Sequence, residues 1–302
     1  MRLWIWRRLR MEVPDDWEML QFAKSAETGA CAFADRCRFR LEIDWKHVEA
    51  PPDIERLISD YEHKLLSEQV IEEAHRVRRN GWQGIEGSSK TGWTGRYGRY
   101  CAEIRSLLEI VLLWPGDRDR SLTEAVLDSV GIEEPRGGCQ RWKAFGMDLL
   151  ASEDLNLATC GVQPARTRMM FNDGRENGRG ECFERLGMVE EWLRLPLEEW
   201  LAARAALLPG GVRTWAQERV RHRILWRSGN RQRSLFAALR GTADGYCASA
   251  WICPADGRLY SFTRLGSAAE LERGPLPAGR LSCCGEIGLT EIRDEDAQRI
   301  HL

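Results

Sequence analysis

Phe39-Arg40-Leu41-Glu42-Ile43-Asp44-Trp45 alternates apolar and charged residues without a break, and Pro51-Pro52-Asp53-Ile54-Glu55-Arg56-Leu57 follows soon after. Successive strand residues point to opposite faces, so the first run reads as a strand with one apolar and one charged face. The second run reads as a helix start. Ile54, Leu57, Ile58, Tyr61, Leu65 and Leu66 fall at helical spacing, and the acids near the beginning suit the positive end of the helix dipole. An antiparallel sheet with helices packed against it, an α+β arrangement, is the fold class this predicts.

Outward from that pair, residues 2–13 alternate loosely and close on Val13-Pro14-Asp15-Asp16-Trp17, a turn after a strand. Residues 80–100 mix glycine with aromatics and predict twisted strands joined by tight turns, and residues 100–114 continue as strand. Leu122, Val126, Leu127 and Val130 share one helical face within 119–130, with Ser121 placed as N-cap. Gly131 to Cys139 reads as a linker.

The layout then repeats. Trp6, Met11-Glu12-Val13 and Phe33-Ala34-Asp35 have counterparts in Trp142, Met147-Asp148-Leu149 and Phe171-Asn172-Asp173, with the same tryptophan-to-methionine spacing. The proline-led stretch at Pro52 matches one at Pro196, predicted to be helical to about Leu208, where Pro209-Gly210-Gly211 ends it. Apolar runs closing on Pro115 and Pro254 end each copy. A period this long is domain-sized, not that of a solenoid. Two tandem α/β/α-type domains are expected, 1–134 and a diverged copy at 139–302, each an antiparallel sheet with packed helices.

With 302 residues, each half is long enough to bury its own core. The net charge of -2 excludes a global basic field that would draw in nucleic acid or anionic membrane. Of the 44 basic residues, lysine supplies only Lys24, Lys46, Lys64, Lys90 and Lys143; the rest are arginines that alternate with acids. The locally basic stretch is Arg219–Arg233, the alternative site if the protein binds nucleic acid. No apolar run is long enough to cross a membrane as a helix, and Met1–Arg8 lacks the apolar core of an export signal. The expected compartment is the cytoplasm of a bacterium.

Catalytic signatures are missing. Gly92-Trp93-Thr94-Gly95-Arg96-Tyr97-Gly98 is neither a dinucleotide fingerprint nor a P-loop, no GxSxG is present, and His47, His63, His75, His222 and His301 are scattered. Ten cysteines without CxxC spacing read as reduced, mostly buried small hydrophobes. Cys247, Cys253, Cys283 and Cys284 are the alternative, a thiol or zinc site of an enzyme or metal protein. Against that, neighbouring cysteines seldom point at one ion, and Cys253 ends an apolar strand. No catalytic residue, metal or cofactor is therefore assigned.

The thirteen tryptophans carry more weight, since each fills a core or anchors an interface. Trp45, Trp114 and Trp251 sit in strand patterns and read as core. Trp4, Trp6, Trp82, Trp93, Tyr97 and Tyr100 are the candidates for an exposed partner-binding surface.

Val13-Pro14-Asp15-Asp16-Trp17, the strand Phe39 to Trp45, the helix at Pro52, the Gly/aromatic hairpin, the strand into Trp114-Pro115 and the helix Leu122 to Val130 together resemble the PsbP-like fold. That fold includes DcrB-like proteins and the Eag-type chaperones of type VI secretion. The second copy departs where Val-Pro-Asp-Asp-Trp becomes Leu149-Leu150-Ala151-Ser152-Glu153. The resemblance implies a non-catalytic scaffold, an adaptor or chaperone-like protein that buries an apolar segment of another protein; fold alone does not fix function.

Overall fold

Alternation at a period of two governs far more of the chain than helical spacing does. The computed structural model describes residues 1–68, 72–89, 92–175, 178–208, 211–231, 245–267, 271 and 277–289. Two compact units, Met1–Ile132 and Glu133–Leu302, divide it.

The first unit opens with the hairpin β1 (Arg2–Trp6) and β2 (Leu9–Val13), continues through β3 (Glu18–Phe22), β4 (Thr28–Ala34) and β5 (Phe39–His47), and crosses by α1 (Ile54–Ser67). It returns through β6 (Glu73–Arg79), β7 (Trp82–Ser89), β8 (Gly92–Cys101) and β9 (Ser106–Trp114), then closes with α2 (Arg120–Ser129) and β10 (Gly131–Ile132). Seven strands form one antiparallel sheet in the order β3-β4-β5-β9-β8-β7-β6, and β10 pairs with β2 beside β1.

In the second unit the hairpin is β11 (Cys139–Ala144) and β12 (Met147–Ser152), followed by β13 (Asn156–Gln163), β14 (Arg166–Asn172) and β15 (Gly180–Leu186). Two short helices, α3 (Val189–Trp192) and α4 (Leu197–Ala203), precede β16 (Arg213–Arg219), β17 (His222–Asn230), β18 (Gly245–Ile252) and β19 (Leu259–Gly266). A 3-10 turn at Pro277–Arg280 leads to β20 (Leu281–Ser282), which pairs with β12. The large sheet runs β13-β14-β15-β19-β18-β17-β16, the same order as in the first unit. The repeated Trp6/Met11 and Trp142/Met147 fall on the two equivalent hairpins.

The α+β expectation is overturned. Of the described residues, 54% lie in strands and 15% in helices, so each unit is a β-rich fold. The second unit shows why. Cys182 to Leu195 carries apolar residues compatible with either period; β15 takes the first five residues, through Leu186, and pairs on both sides there, leaving only the one-turn α3 beyond. The helix expected from Pro196 to Leu208 stops at Ala203, because Leu207 and Leu208 are taken up by β17: Leu208 N–H donates to the Asn230 carbonyl at 2.8 Å. Nor is Ser121 the cap of α2. Asp119 caps it, accepting from Leu122 N–H at 2.9 Å.

In the first unit, Leu41, Ile43 and Trp45 of β5 and Leu108, Ile110 and Leu112 of β9 are buried, with Ile43 opposite Ile110 in the antiparallel register. Trp4 meets Phe33 edge to face at 5.4 Å, and the Trp6 indole N–H donates to the Ala23 carbonyl at 2.8 Å. α1, capped by Asp53, lies on the opposite face and covers Ile85 with Ile58, Tyr61 and Leu65.

That second face also holds Asp44, which burial pushes up to about 6, with the Glu42 and Glu109 carboxylates adding to the effect and Arg96 opposing it. A carboxyl raised in the folded state binds its proton more tightly there than in the unfolded chain. Its contribution to stability is therefore present at low pH and is lost as pH rises from about 4 through about 6. Asp44→Asn should raise the thermal midpoint of the first unit at pH 7 and flatten its dependence on pH between 4 and 6. A midpoint that falls at pH 7 would contradict this.

Candidate metal centre

The proposed aromatic surface does not assemble. Trp4, Trp6, Trp82 and Tyr97 are core residues, from 0 to 4% exposed. Trp82 donates its indole N–H to the Leu127 carbonyl at 3.1 Å, and Tyr97 donates its hydroxyl to Glu86 Oε1 at 2.9 Å. Trp93 and Tyr100 are half-buried, and the Arg118 guanidinium stacks 4.4 Å over the Trp93 ring. Amphipathic rings whose polar tips find partners bury well, and the tips of Trp6, Trp82 and Tyr97 are matched inside the first unit, while Trp4 is buried by ring packing on Phe33.

The structure instead gathers a set that the sequence reading split up. His222, Cys253, Cys283 and Cys284 bring one ligand atom each to within 4.8 Å of all the others. His222 begins β17 and is fully buried; Cys253 directly follows β18. Leu225 pairs with Ala250 in that register, and three steps further along His222 lies across from Cys253. Both side chains then leave the sheet on one face. The segment after β20 delivers Cys283 and Cys284 to the same point.

Four of the six edges of the cluster are fixed by short distances, and the two from Cys253 Sγ to the other sulfurs are within 4.8 Å. His222 Nε2 lies 3.4 Å from Cys253 Sγ and 3.5 Å from both Cys283 Sγ and Cys284 Sγ, and the two neighbouring sulfurs are 3.8 Å apart. An ion with metal–sulfur bonds of about 2.3 Å and a metal–nitrogen bond of about 2.0 Å has tetrahedral edges of about 3.8 Å (S to S) and about 3.5 Å (S to N). The donor atoms stand where a Cys3His zinc site needs them.

Local backbone explains how adjacent cysteines both contribute. Cys283 N–H donates to the Ile287 carbonyl at 3.2 Å and Cys284 bridges to Ile287, so the chain turns sharply instead of continuing as a strand with opposed side chains. Burial acts most strongly on the Cys284 thiol, raising it, but the N–H groups of Ile287 and Glu286 together with the Cys283 and Cys253 thiols outweigh it and hold this thiol below its usual range. Cys253 sits in a similar turn, Cys253-Pro254-Ala255-Asp256-Gly257, whose Ala255 and Asp256 amides face its sulfur. There burial dominates and raises the thiol, as it does at Cys283. Backbone amides aimed at sulfur stabilise thiolate, the form that ligates.

An outer carboxylate completes the arrangement. Glu286 Oε2 stands 3.7 Å from His222 Nδ1, and neither atom has a hydrogen-bond partner in the protein. The other oxygen, Oε1, takes Arg221 Nε at 3.0 Å, and Arg221 holds the Glu286 carboxyl low. A carboxylate behind a ligating imidazole fixes its tautomer and leaves Nε2 free for the ion.

The first unit shows what this cluster replaces. Continuing its register one step past Gln83 and Gly98, Trp82 lies across from Arg99, the positions that His222 and Cys253 occupy in the second unit. Arg99 sits 4.5 Å over the Trp82 ring and donates to the Val130 carbonyl at 3.0 Å, while Trp82 binds the Leu127 carbonyl. There the end of α2 closes the unit. The described residues of the second unit contain no counterpart of α2, and the cysteine segment docks at these positions instead.

Cys247 does not join the cluster. It lies on β18 across from Arg264, and burial pushes its thiol up to about 11. Two arginines of 219–231 are engaged with acids: Arg221 with Glu286 and Arg223 with Glu198 and Glu218. Residues 232 and 233 of the basic stretch lie outside the described residues. No helix among the described residues is long and apolar enough to cross a membrane.

His222 is the functional residue that sequence reasoning missed. Its 31-residue separation from Cys253 gives no local signal. The signal that was there is the turn chemistry behind two cysteines, Cys253-Pro254-Ala255-Asp256-Gly257 and Cys284-Gly285-Glu286. No protein-family model matches the chain, and no curated protein is significantly similar to it.

Proposed function

We propose that this protein is a structural zinc protein whose two-unit β scaffold works by binding and not by catalysis. The tetrahedral edge lengths among His222 Nε2 and the three sulfurs support this reading above all else. Three thiolates and an imidazole suit zinc in softness and geometry. Four protein ligands fill the tetrahedron, so no position stays open for water or substrate, which is the mark of a structural site. The ion would clasp the C-terminal segment onto the end of β17 and β18.

Elemental analysis of the full chain, purified without added metal, tests this. One zinc per chain is expected in the wild type and in Cys247→Ser, with loss of bound zinc in Cys253→Ser and His222→Ala. A wild type that takes up no zinc on reconstitution, or a Cys253→Ser variant that keeps it, would sink the reading.

A second reading, the protein-binding adaptor, is favoured by one patch. Met188, Trp192 and Leu195 are 66, 39 and 55% exposed, and Met188 is held in left-handed backbone at φ 53°. Large apolar side chains exposed within eight residues of one another in sequence are places where a partner gains by covering them. Trp192→Ala with Leu195→Ala should release a captured partner and leave zinc content unchanged; retention of the partner would exclude the patch.

A further inference from the structure

Three arginines of the first unit share an uncommon backbone conformation. Arg7, Arg8 and Arg105 have φ of 53°, 68° and 48°, a region that costs a side-chain-bearing residue conformational energy and favours glycine or asparagine. Arg7 and Arg8 form the tight turn between β1 and β2, and Arg105 sits in the turn between β8 and β9. All three line one cavity of about 380 Å³, within the size range of small-molecule sites.

Turn geometry alone does not call for arginine there. A two-residue hairpin turn with positive φ at both positions is best served by Asn-Gly. The second unit makes the same turn with Phe145-Gly146, at φ 53° and 71°, where Arg185 Nη1 reaches the Phe145 carbonyl at 3.4 Å. Backbone strain retained at charged residues that converge on a cavity points from structure to binding.

Ile104 forms the apolar wall of the cavity, backed by the buried Trp45 and Leu9. Glu27 and Glu103 also border it, and Glu103 Oε2 already accepts the Cys101 thiol at 3.1 Å. Arg105 Nη2 donates to the Glu49 carbonyl at 3.0 Å, which holds its guanidinium at the rim. Three guanidiniums and two carboxylates thus line the cavity. Planar forks match the oxygens of a phosphate, and a dianion uses several of them at once.

We propose that this cavity binds a small phosphate monoester, its phosphate held by Arg7, Arg8 and Arg105 and its apolar group laid against Ile104. This site is independent of the zinc reading, which concerns the second unit. Calorimetric titration of the full chain with phenyl phosphate, with inorganic phosphate and benzoate as comparators, tests it. Saturable binding of one phenyl phosphate per chain is expected, at least tenfold tighter than either comparator. Arg7→Gln and Arg105→Gln, in different turns, should each weaken it at least tenfold. Arg8→Gly should weaken it as much while raising the Tm, since glycine adopts φ 68° without strain. Absence of saturable binding, benzoate binding as tightly as phenyl phosphate, or variants that bind like wild type would overturn the proposal. So would a lowered Tm in Arg8→Gly, which would give these arginines a purely structural reason to be there.

Discussion

Chelation is expected to strip one zinc from the protein and to split its thermal unfolding into two transitions. Each unit has its own buried core, so the first unit should unfold as before while the second melts earlier. The size of the effect follows from linkage: a ligand that binds only the folded state stabilises by about 4 kcal/mol when its free concentration is a thousand times Kd. A structural zinc site acts in this way because its ligands assemble only on folding, so the binding energy goes to the folded state. The segment at risk is the one that carries two of the four ligands. Leu281 and Ile287 are fully buried beside Cys283 and Cys284, and both would be exposed if the clasp opened. Differential scanning calorimetry of native and chelated protein reads the result, and Cys283→Ser should reproduce the chelated trace without any chelator. Superimposable traces, or a shift confined to the first unit, would defeat the metal reading. Cys247→Ser is the internal control, because its sulfur lies outside the cluster.

The parts of this architecture legible from sequence were those set by near neighbours. Alternation from Phe39 to Trp45 marked β5, and the equal spacing of Trp6/Met11 and Trp142/Met147 marked equivalent hairpins. The balance of sheet to helix was less legible, because short apolar stretches such as Cys182 to Leu195 satisfy both periods and only pairing partners decide between them. The glycine-rich aromatic hairpin misled for a specific reason. A Cβ on Gly95 would stand 2.6 Å from the Trp93 ring and 2.5 Å from the Tyr97 hydroxyl. The glycines there make room for rings folded down over the sheet, which buries aromatics that the composition alone presents as surface. The metal cluster depends on long-range register: His222 and Cys253 meet only because β17 and β18 pair, and adjacency of Cys283 and Cys284 counts against a site only while the chain is extended.

Replacing Arg280 should destabilise the second unit by about 3–5 kcal/mol, the usual cost of removing one partner from a buried ion pair. Arg280 and Glu181 are almost wholly buried, with Nη1 and Oε1 2.6 Å apart. The guanidinium also donates to the Leu150 carbonyl at 3.0 Å and to Ser152 Oγ at 3.1 Å, while Glu181 accepts from Ser152 N–H at 2.9 Å. Arg280→Met would leave the Glu181 charge in the interior with Arg264, 3.6 Å away, and the Ser152 N–H and hydroxyl to offset it, so the lower end of the range is expected. Exchanging both partners, Arg280→Met with Glu181→Leu, should recover part of the loss, because a buried pair replaced by apolar groups of similar volume is often neutral. Urea unfolding followed in the second unit measures both. A single variant that costs under about 1 kcal/mol, or a double variant no better than the single, would show that the pair is not what holds this segment. The position of Arg280 adds a second readout. It ends the turn that leads directly into Leu281–Ser282 and the two cysteines, and it ties that turn to β12 and β15. Half of the proposed metal ligands arrive on a segment that this side chain helps to dock, so Arg280→Met should weaken zinc retention against a competing chelator although it touches none of the four. Unchanged retention in a destabilised variant would mean that the cysteine turn is positioned by its own hydrogen bonds to Ile287 and not by the ion pair behind it.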